Sequence, residues 1–177
     1  MKVNVAELIR RPGAQIDVKL EGYLPSLEKE LAPEATLLSP VTAKLRIDNS
    51  GTLIVVEGTL LVRVQLHCSR CLKEFALDLD VSFNEAFREK GPSAGMGMEQ
   101  DDEIILFSGD IIDFTTTIRD NLIAALPMKA LCQKNCRGLC PRCGQDLNQG
   151  ECDCPKSEGD PRMAVLGKLL KTEQDKS

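Results

Sequence analysis

The sequence predicts an α+β fold: an antiparallel sheet, open or barrel-like, one amphipathic helix packed on it, and a small cysteine-rich module near the C-terminus. Three observations carry this. Apolar and polar residues alternate through much of the first half of the chain. The apolar period then lengthens from two to between three and four. Finally, six of the eight cysteines fall between Cys132 and Cys154.

The strands come first. "QIDVKLEGY" (Gln15 to Tyr23) reads as an early strand of the sheet. In "VTAKLRI", Val41, Ala43, Leu45 and Ile47 alternate with their neighbours, the pattern of a half-buried strand. "DNSG" (Asp48 to Gly51) then marks a turn. Leu60, Val62, Val64 and Leu66 share one face of a long strand that ends at His67. After "CSRC", Phe75, Leu77, Leu79, Val81 and Phe83 share a face of another. Two alternating runs joined by a short turn predict an antiparallel hairpin, with Cys68-Ser69-Arg70-Cys71 as its turn. The stretch from Glu28 to Leu38 has no settled pattern, because Pro33 stops any helix early. Arg88 to Glu103 holds three glycines and a proline and reads as a mobile loop, and "IILF" (Ile104 to Phe107) reads as a short strand.

The helix follows. Ile111, Phe114, Ile118, Leu122 and Leu126 recur every three or four residues. Asp110 is placed to cap its N-terminus and Pro127 to end it. A short terminal helix through Met163, Leu166 and Leu170 is also expected, with the last residues disordered. This divides the chain into a β-rich core with closing helix (1–126), a cysteine module (127–155) and a tail (156–177).

Composition narrows the function. Of 177 residues, 42% are hydrophobic but only 3% aromatic, so the core is aliphatic. "MKVNVAELIRR" is followed by no apolar run of secretory length, and no stretch reaches the roughly 18 apolar residues of a membrane span, so a cytoplasmic protein is expected. In a reducing compartment, clustered cysteines bind metal or do redox work more often than they form disulfides. The formal charge of −5 leaves little general attraction for phosphate, so any nucleic-acid contact must be a local patch.

The cysteines pair as Cys68-x2-Cys71, Cys132-x3-Cys136, Cys140-x2-Cys143 and Cys152-x-Cys154. Such spacings suit tetrahedral zinc, and Gly144 after "CPRC" accepts the backbone angle that a zinc knuckle needs. The preferred division puts Cys140, Cys143, Cys152 and Cys154 on one ion and Cys68, Cys71, Cys132 and Cys136 on a second. The second site would clip the hairpin tip to the segment after the helix, closing a loop of about 60 residues. With four thiolates at each Zn²⁺, the total charge falls to about −9. The other division is a single ion held by Cys68, Cys71 and one C-terminal pair.

Other chemistry is disfavoured. A redox Cys-x-x-Cys pair usually opens a helix, whereas the first pair here sits in a hairpin turn. A catalytic zinc keeps an open position, and every candidate quartet is all cysteine. His67 is the sole histidine and reads as an ordinary strand residue, so no histidine-based acid–base pair can be built without it. No phosphate loop of the GxxxxGKS type is present, and carboxylates are scattered on polar faces. Lys129, Lys134, Arg137 and Arg142 form a strip without acidic residues, joined by Arg70 and Lys73 beside the first pair. They would either contact RNA phosphate or offset the charge of the metal–thiolate clusters. Aromatic stacking platforms for single-stranded RNA are lacking.

"LHCSRCLKEF", "ALPMKALCQKNCRGLCPRCGQDLN", "CDC" and "DPRMAVLGKLL", in this order and at these separations, resemble the YceD-like family of large ribosomal RNA subunit accumulation proteins. The resemblance covers most of the chain. It implies a role in ribosome biogenesis, with no established enzymatic activity. The family's Cys-x-x-Cys corresponds to Cys68 and Cys71. Some branches keep that pair and lose most of the later cysteines, which implies that Cys140 to Cys154 is a variant stabiliser. The expected function is therefore a non-enzymatic factor supporting processing or accumulation of large-subunit (23S) ribosomal RNA by binding. Its partner would be precursor ribosomal RNA, a ribosomal protein or a processing enzyme, with no membrane and no small-molecule substrate. The alternative is a protein–protein adaptor that makes no RNA contact.

Overall fold

The structure, a computed structural model, describes residues 1–31, 35–90 and 104–155. They fall into two compact units divided between Cys136 and Arg137. The expected terminal helix, the 156–177 tail and most of the 88–103 loop lie outside the described residues.

The first unit is built on a six-stranded sheet. Its strands are β2 (Gln15–Gly22), β3 (Ala35–Leu37), β4 (Val41–Asn49), β5 (Ile54–His67), β6 (Glu74–Glu89) and β7 (Ile104–Phe107). The order is β2-β4-β5-β6-β7, with β3 also paired to β5. β2 and β7 do not meet, so the sheet is open and barrel closure is ruled out. It is also not purely antiparallel, because β7 runs parallel to β6 with Ala86 opposite Ile104. A parallel pair needs a connection of a dozen or more residues, and the chain between Glu89 and Ile104 is long enough.

The alternation in the sequence sets the register. Leu66, Val64, Val62, Leu60 and Gly58 of β5 face Phe75, Leu77, Leu79, Val81 and Phe83 of β6. Ala43, Leu45 and Ile47 of β4 extend the same buried face. Gly58 is there because of Phe83: a Cβ at 58 would sit 2.1 Å from the Phe83 ring. The opposite face is polar, with ion pairs such as Arg46–Asp17 at 3.2 Å and Arg63–Asp78 at 3.5 Å.

Three helices cover the apolar face: α1 (Ala6–Ile9), α2 (Pro25–Leu31) and α3 (Thr115–Ala125). They pack against β4, β3 and β6 respectively. The unsettled stretch 28–38 thus holds the end of α2 and all of β3, and Pro25 sits at the first turn of α2, where its missing amide costs nothing. Buried Asn49 ties α1 to the sheet, donating from Nδ2 to the carbonyls of Leu8 at 2.7 Å and Ile9 at 3.2 Å. Phe114, Ile118 and Leu122 are buried as the helical period predicts, and Phe114 meets Phe87 edge-on at 5.3 Å.

The helix start differs from expectation. Residues Ile111–Asp113 form a strand, β8, paired with β1 (Lys2–Asn4). Ile111 fits the helical spacing but is exposed, whereas Ile112 is buried. Asp110 therefore caps nothing; its carbonyl accepts from the Val5 amide. Phe114 is the N-cap residue, and Asp113 just before it accepts from the Thr115 amide at 3.0 Å and the Thr115 hydroxyl at 2.5 Å. The hydroxyl bond first of all holds the Asp113 carboxyl at about 2. At the other end, Leu126 is extended, as a residue before proline must be, and α3 stops.

The close approach at Gly58 is directly testable. Gly58→Ala overpacks the sheet against Phe83 and lowers stability by roughly 1–3 kcal/mol in urea unfolding. A variant within 0.5 kcal/mol of the parent, on the order of an ordinary surface change, contradicts this packing.

Candidate metal centres

The first centre grows out of the hairpin turn. Between β5 and β6 the Cys68 amide donates to the Lys73 carbonyl and the Leu72 amide to the Cys68 carbonyl, both at 2.9 Å. Leu72 adopts φ +59°, the left-handed region that leucine rarely enters. The chain after α3 then returns to this turn. The Ser69 amide donates to the Ala130 carbonyl at 2.8 Å, and Arg70 Nη1 donates to the Cys136 carbonyl at 2.6 Å. These bonds set Cys132 and Cys136 against the pair in the turn. Cys68 and Cys136 Sγ lie 3.7 Å apart, as do Cys71 and Cys132 Sγ. All four sulfurs lie within 4.8 Å of one another.

The second unit repeats the device. The Cys140 amide donates to the Gln145 carbonyl at 2.8 Å and the Gly144 amide to the Cys140 carbonyl at 2.9 Å. Gly144 has φ +75°, the same left-handed turn that Leu72 makes. The Arg142 amide points at Cys140 Sγ at 3.5 Å. A bridge between Leu139 and Asp146 closes the loop, and Cys140, Cys143, Cys152 and Cys154 bring their sulfurs within 4.8 Å of one another. The two sets of four are those that the spacing predicts; the single-ion division would leave one set unused.

The donor set suits a cation. Sulfurs around a tetrahedral ion with bonds of about 2.3 Å lie about 3.8 Å apart, close to the 3.7 Å contacts of the first centre. Each cluster could hold a metal ion. The protonation pattern agrees. Cys68 is lowered to about 6, chiefly by a backbone hydrogen bond from Cys132, and Cys140 to about 6, chiefly by one from Cys143. Burial pushes Cys132 up to about 12, and hydrogen bonding with Cys143 pushes Cys154 up to about 12. Cys71 and Cys152 are also raised, in part by sharing hydrogen bonds with neighbouring thiols. Cys68 and Cys140 are thus readier to ionise than an ordinary thiol, and a cation would offset the cost of ionising the raised thiols beside them.

The six predicted cations are all exposed, but they are not equivalent. Arg70, Lys73, Lys129 and Lys134 belong to the first unit and Arg137 and Arg142 to the second. Arg70 spends its guanidinium on the Cys136 carbonyl. The other five side chains make no hydrogen bond or ion pair among the described residues. His67 stays outside the cluster and meets Glu74 at 3.3 Å. The sequence carries no sign of the Arg70 clasp or of the left-handed Leu72, since leucine has no signal for that conformation. It also carries no sign of a cleft of about 590 Å³ beside the first centre, lined by Leu31, Leu66, Ile123, Leu126, Met128 and Ala130. Met128 of that lining is wholly exposed.

An open sheet with a closing helix and two four-cysteine centres describes a class of small cysteine-clustered α+β proteins. Residues 56–170 match the family described as large ribosomal RNA subunit accumulation protein YceD. The chain belongs to the YceD family. It is 30% identical over 178 residues to an uncharacterized protein of Mycobacterium tuberculosis, covering 99% of this chain and 84% of that one. The uncharacterized protein YlbN of Bacillus subtilis is 26% identical over 176 residues, 99% of each chain. A chloroplastic large ribosomal RNA subunit accumulation protein, YCED homolog 1 of Arabidopsis thaliana, is 37% identical over 65 residues, 37% of this chain and 20% of that one. No solved structure matches the chain significantly.

The thiol pattern fixes a pH dependence. Cys71 and Cys132 in one cluster, and Cys152 and Cys154 in the other, are raised and so protonated at pH 7. Binding a thiophilic divalent cation must expel at least these two protons per cluster, so affinity rises with pH. Between pH 7 and pH 6 it should fall by at least about 100-fold per site, with matching proton release in calorimetry. Affinity independent of pH contradicts the assignment.

Proposed function

We propose that this chain is a ribosome biogenesis factor that supports processing or accumulation of large-subunit (23S) ribosomal RNA, acting in the cytoplasm by binding rather than by catalysis. Membership of the YceD family over residues 56–170 carries the reading. Two relatives, from Arabidopsis thaliana and Zea mays, bear the name of large ribosomal RNA subunit accumulation proteins.

The chemistry of the clusters supports a structural role for them. Each offers four sulfurs and nothing harder, which suits zinc, and four protein ligands leave a tetrahedral ion no position for substrate. Zinc at both clusters would hold the hairpin tip to the segment after α3 and hold the second unit together. Among the described residues, no helix is long and apolar enough to cross a membrane, in keeping with the cytoplasmic reading.

For the RNA contact, the cations whose side chains have no protein partner among the described residues are the candidates: Lys73, Lys129, Lys134, Arg137 and Arg142. Arg70 is better read as a clasp of the first centre. A second reading, an adaptor that docks a ribosomal protein or RNA-processing enzyme, draws on the cleft beside the first centre and the wholly exposed Met128.

Binding to large-subunit ribosomal RNA fragments, measured across a salt series, separates the two. Lys134→Ala with Arg137→Ala and Arg142→Ala should weaken binding and reduce the slope of log affinity against log salt by about two to three. Binding unchanged by the three substitutions contradicts the RNA reading. Loss of protein capture on Met128→Glu, with RNA binding absent throughout, would favour the adaptor.

A further inference from the structure

The two centres share a ligand set and a turn but differ in cover. In the first, Cys68 and Cys136 are 0% and 1% exposed, Cys71 is 8% exposed and Cys132 is half-buried. In the second, Cys143, which holds the position that Cys71 holds in the first turn, is exposed, and Cys152 and Cys154 are half-buried. The third residue of each turn is arginine. Arg70 folds over the first centre onto the Cys136 carbonyl, whereas Arg142 makes no such bond. The surrounding scaffolds differ as well. The first centre stands at the end of a long hairpin in a unit with a full apolar core. The described part of the second unit has only an isolated bridge, Leu139 to Asp146, in place of helix or strand.

We propose that Cys143 is a site of oxidation by peroxide, through which the second centre releases its metal while the first keeps its own. The inference rests on reading both clusters as zinc sites. The chemistry is a two-electron thiol oxidation. The Cys143 thiolate attacks one peroxide oxygen; the O–O bond breaks, hydroxide leaves and a sulfenic acid remains. A neighbouring thiolate of the same cluster, Cys140, Cys152 or Cys154, then attacks that sulfur, expels a second hydroxide and forms the disulfide. Two thiolates and one peroxide thus become one disulfide and two hydroxides, which take protons from solvent. The four sulfurs already lie within 4.8 Å of one another, so the partner is at hand. With two ligands gone the ion leaves, and with it the constraint that holds Arg137 and Arg142 in place. Oxidant access is the difference that decides which centre reacts first, since a thiolate reacts only where peroxide can reach it.

The test uses the full chain carrying both zinc ions, exposed to excess hydrogen peroxide with a metallochromic dye and thiol titration. One ion should leave with the loss of two thiols, about tenfold or more faster than the second. Peptide mapping should place the new disulfide within residues 137–155 and include Cys143. Arg70→Ala should speed release of the slow ion and leave the fast one unchanged. Release of both ions at one rate, or first loss of thiols among Cys68 to Cys136, overturns the inference while leaving the zinc reading intact. An unchanged slow phase in Arg70→Ala contradicts the cover assigned to that residue. A purified chain that binds no zinc fails at the earlier step, the zinc reading itself.

Discussion

Four cysteine sulfurs gathered within 4.8 Å of one another would repel as thiolates unless a cation lay among them. In the first unit this constraint joins the tip of the β5–β6 hairpin to the chain after α3. The backbone prepares the meeting: two hydrogen bonds shape the turn, two more dock the returning segment, and amides bonded to Cys68 lower its thiol to about 6. The core is aliphatic and the sheet open, with β2 and β7 unpaired to each other. A metal clip at the far end of a 14-residue strand would limit how much that hairpin can splay.

The same turn serves a different purpose in the second unit. There the described chain has no helix or ladder to bury an apolar face, and a segment of that size cannot hold itself by burial alone. Metal would be its main source of order rather than a reinforcement. That difference also separates the cations: Arg70 bonds the Cys136 carbonyl of its own centre, whereas the Arg142 side chain makes no hydrogen bond or ion pair among the described residues. A single motif thus yields one mostly buried centre and one more exposed one.

Much of this was legible in the sequence. The alternation in β4, β5 and β6 fixes the buried face, because a one-residue slip would turn every apolar side chain to solvent. The cysteine spacing points to the two quartets. Other features were not legible, for physical reasons. β1 and α1 are too short to show a period, although Val3, Val5 and Leu8 are buried. The start of α3 was misplaced because Ile111 matches the helical spacing by chance, and only the pairing of β8 with β1 shows that Ile112 is the inward residue. The parallel β7 depends on a long-range return that four residues cannot encode. Leu72 in a left-handed turn has no sequence signal, whereas Gly144 in the equivalent turn does.

The most direct test of this account is the mass of the intact folded chain under native conditions, before and after a strong chelator. The account predicts two zinc ions per chain, both lost on chelation and accompanied by partial unfolding that begins in residues 137–155. A chain carrying one ion, or one whose fold and hydrogen-exchange protection are unchanged without metal, would contradict it.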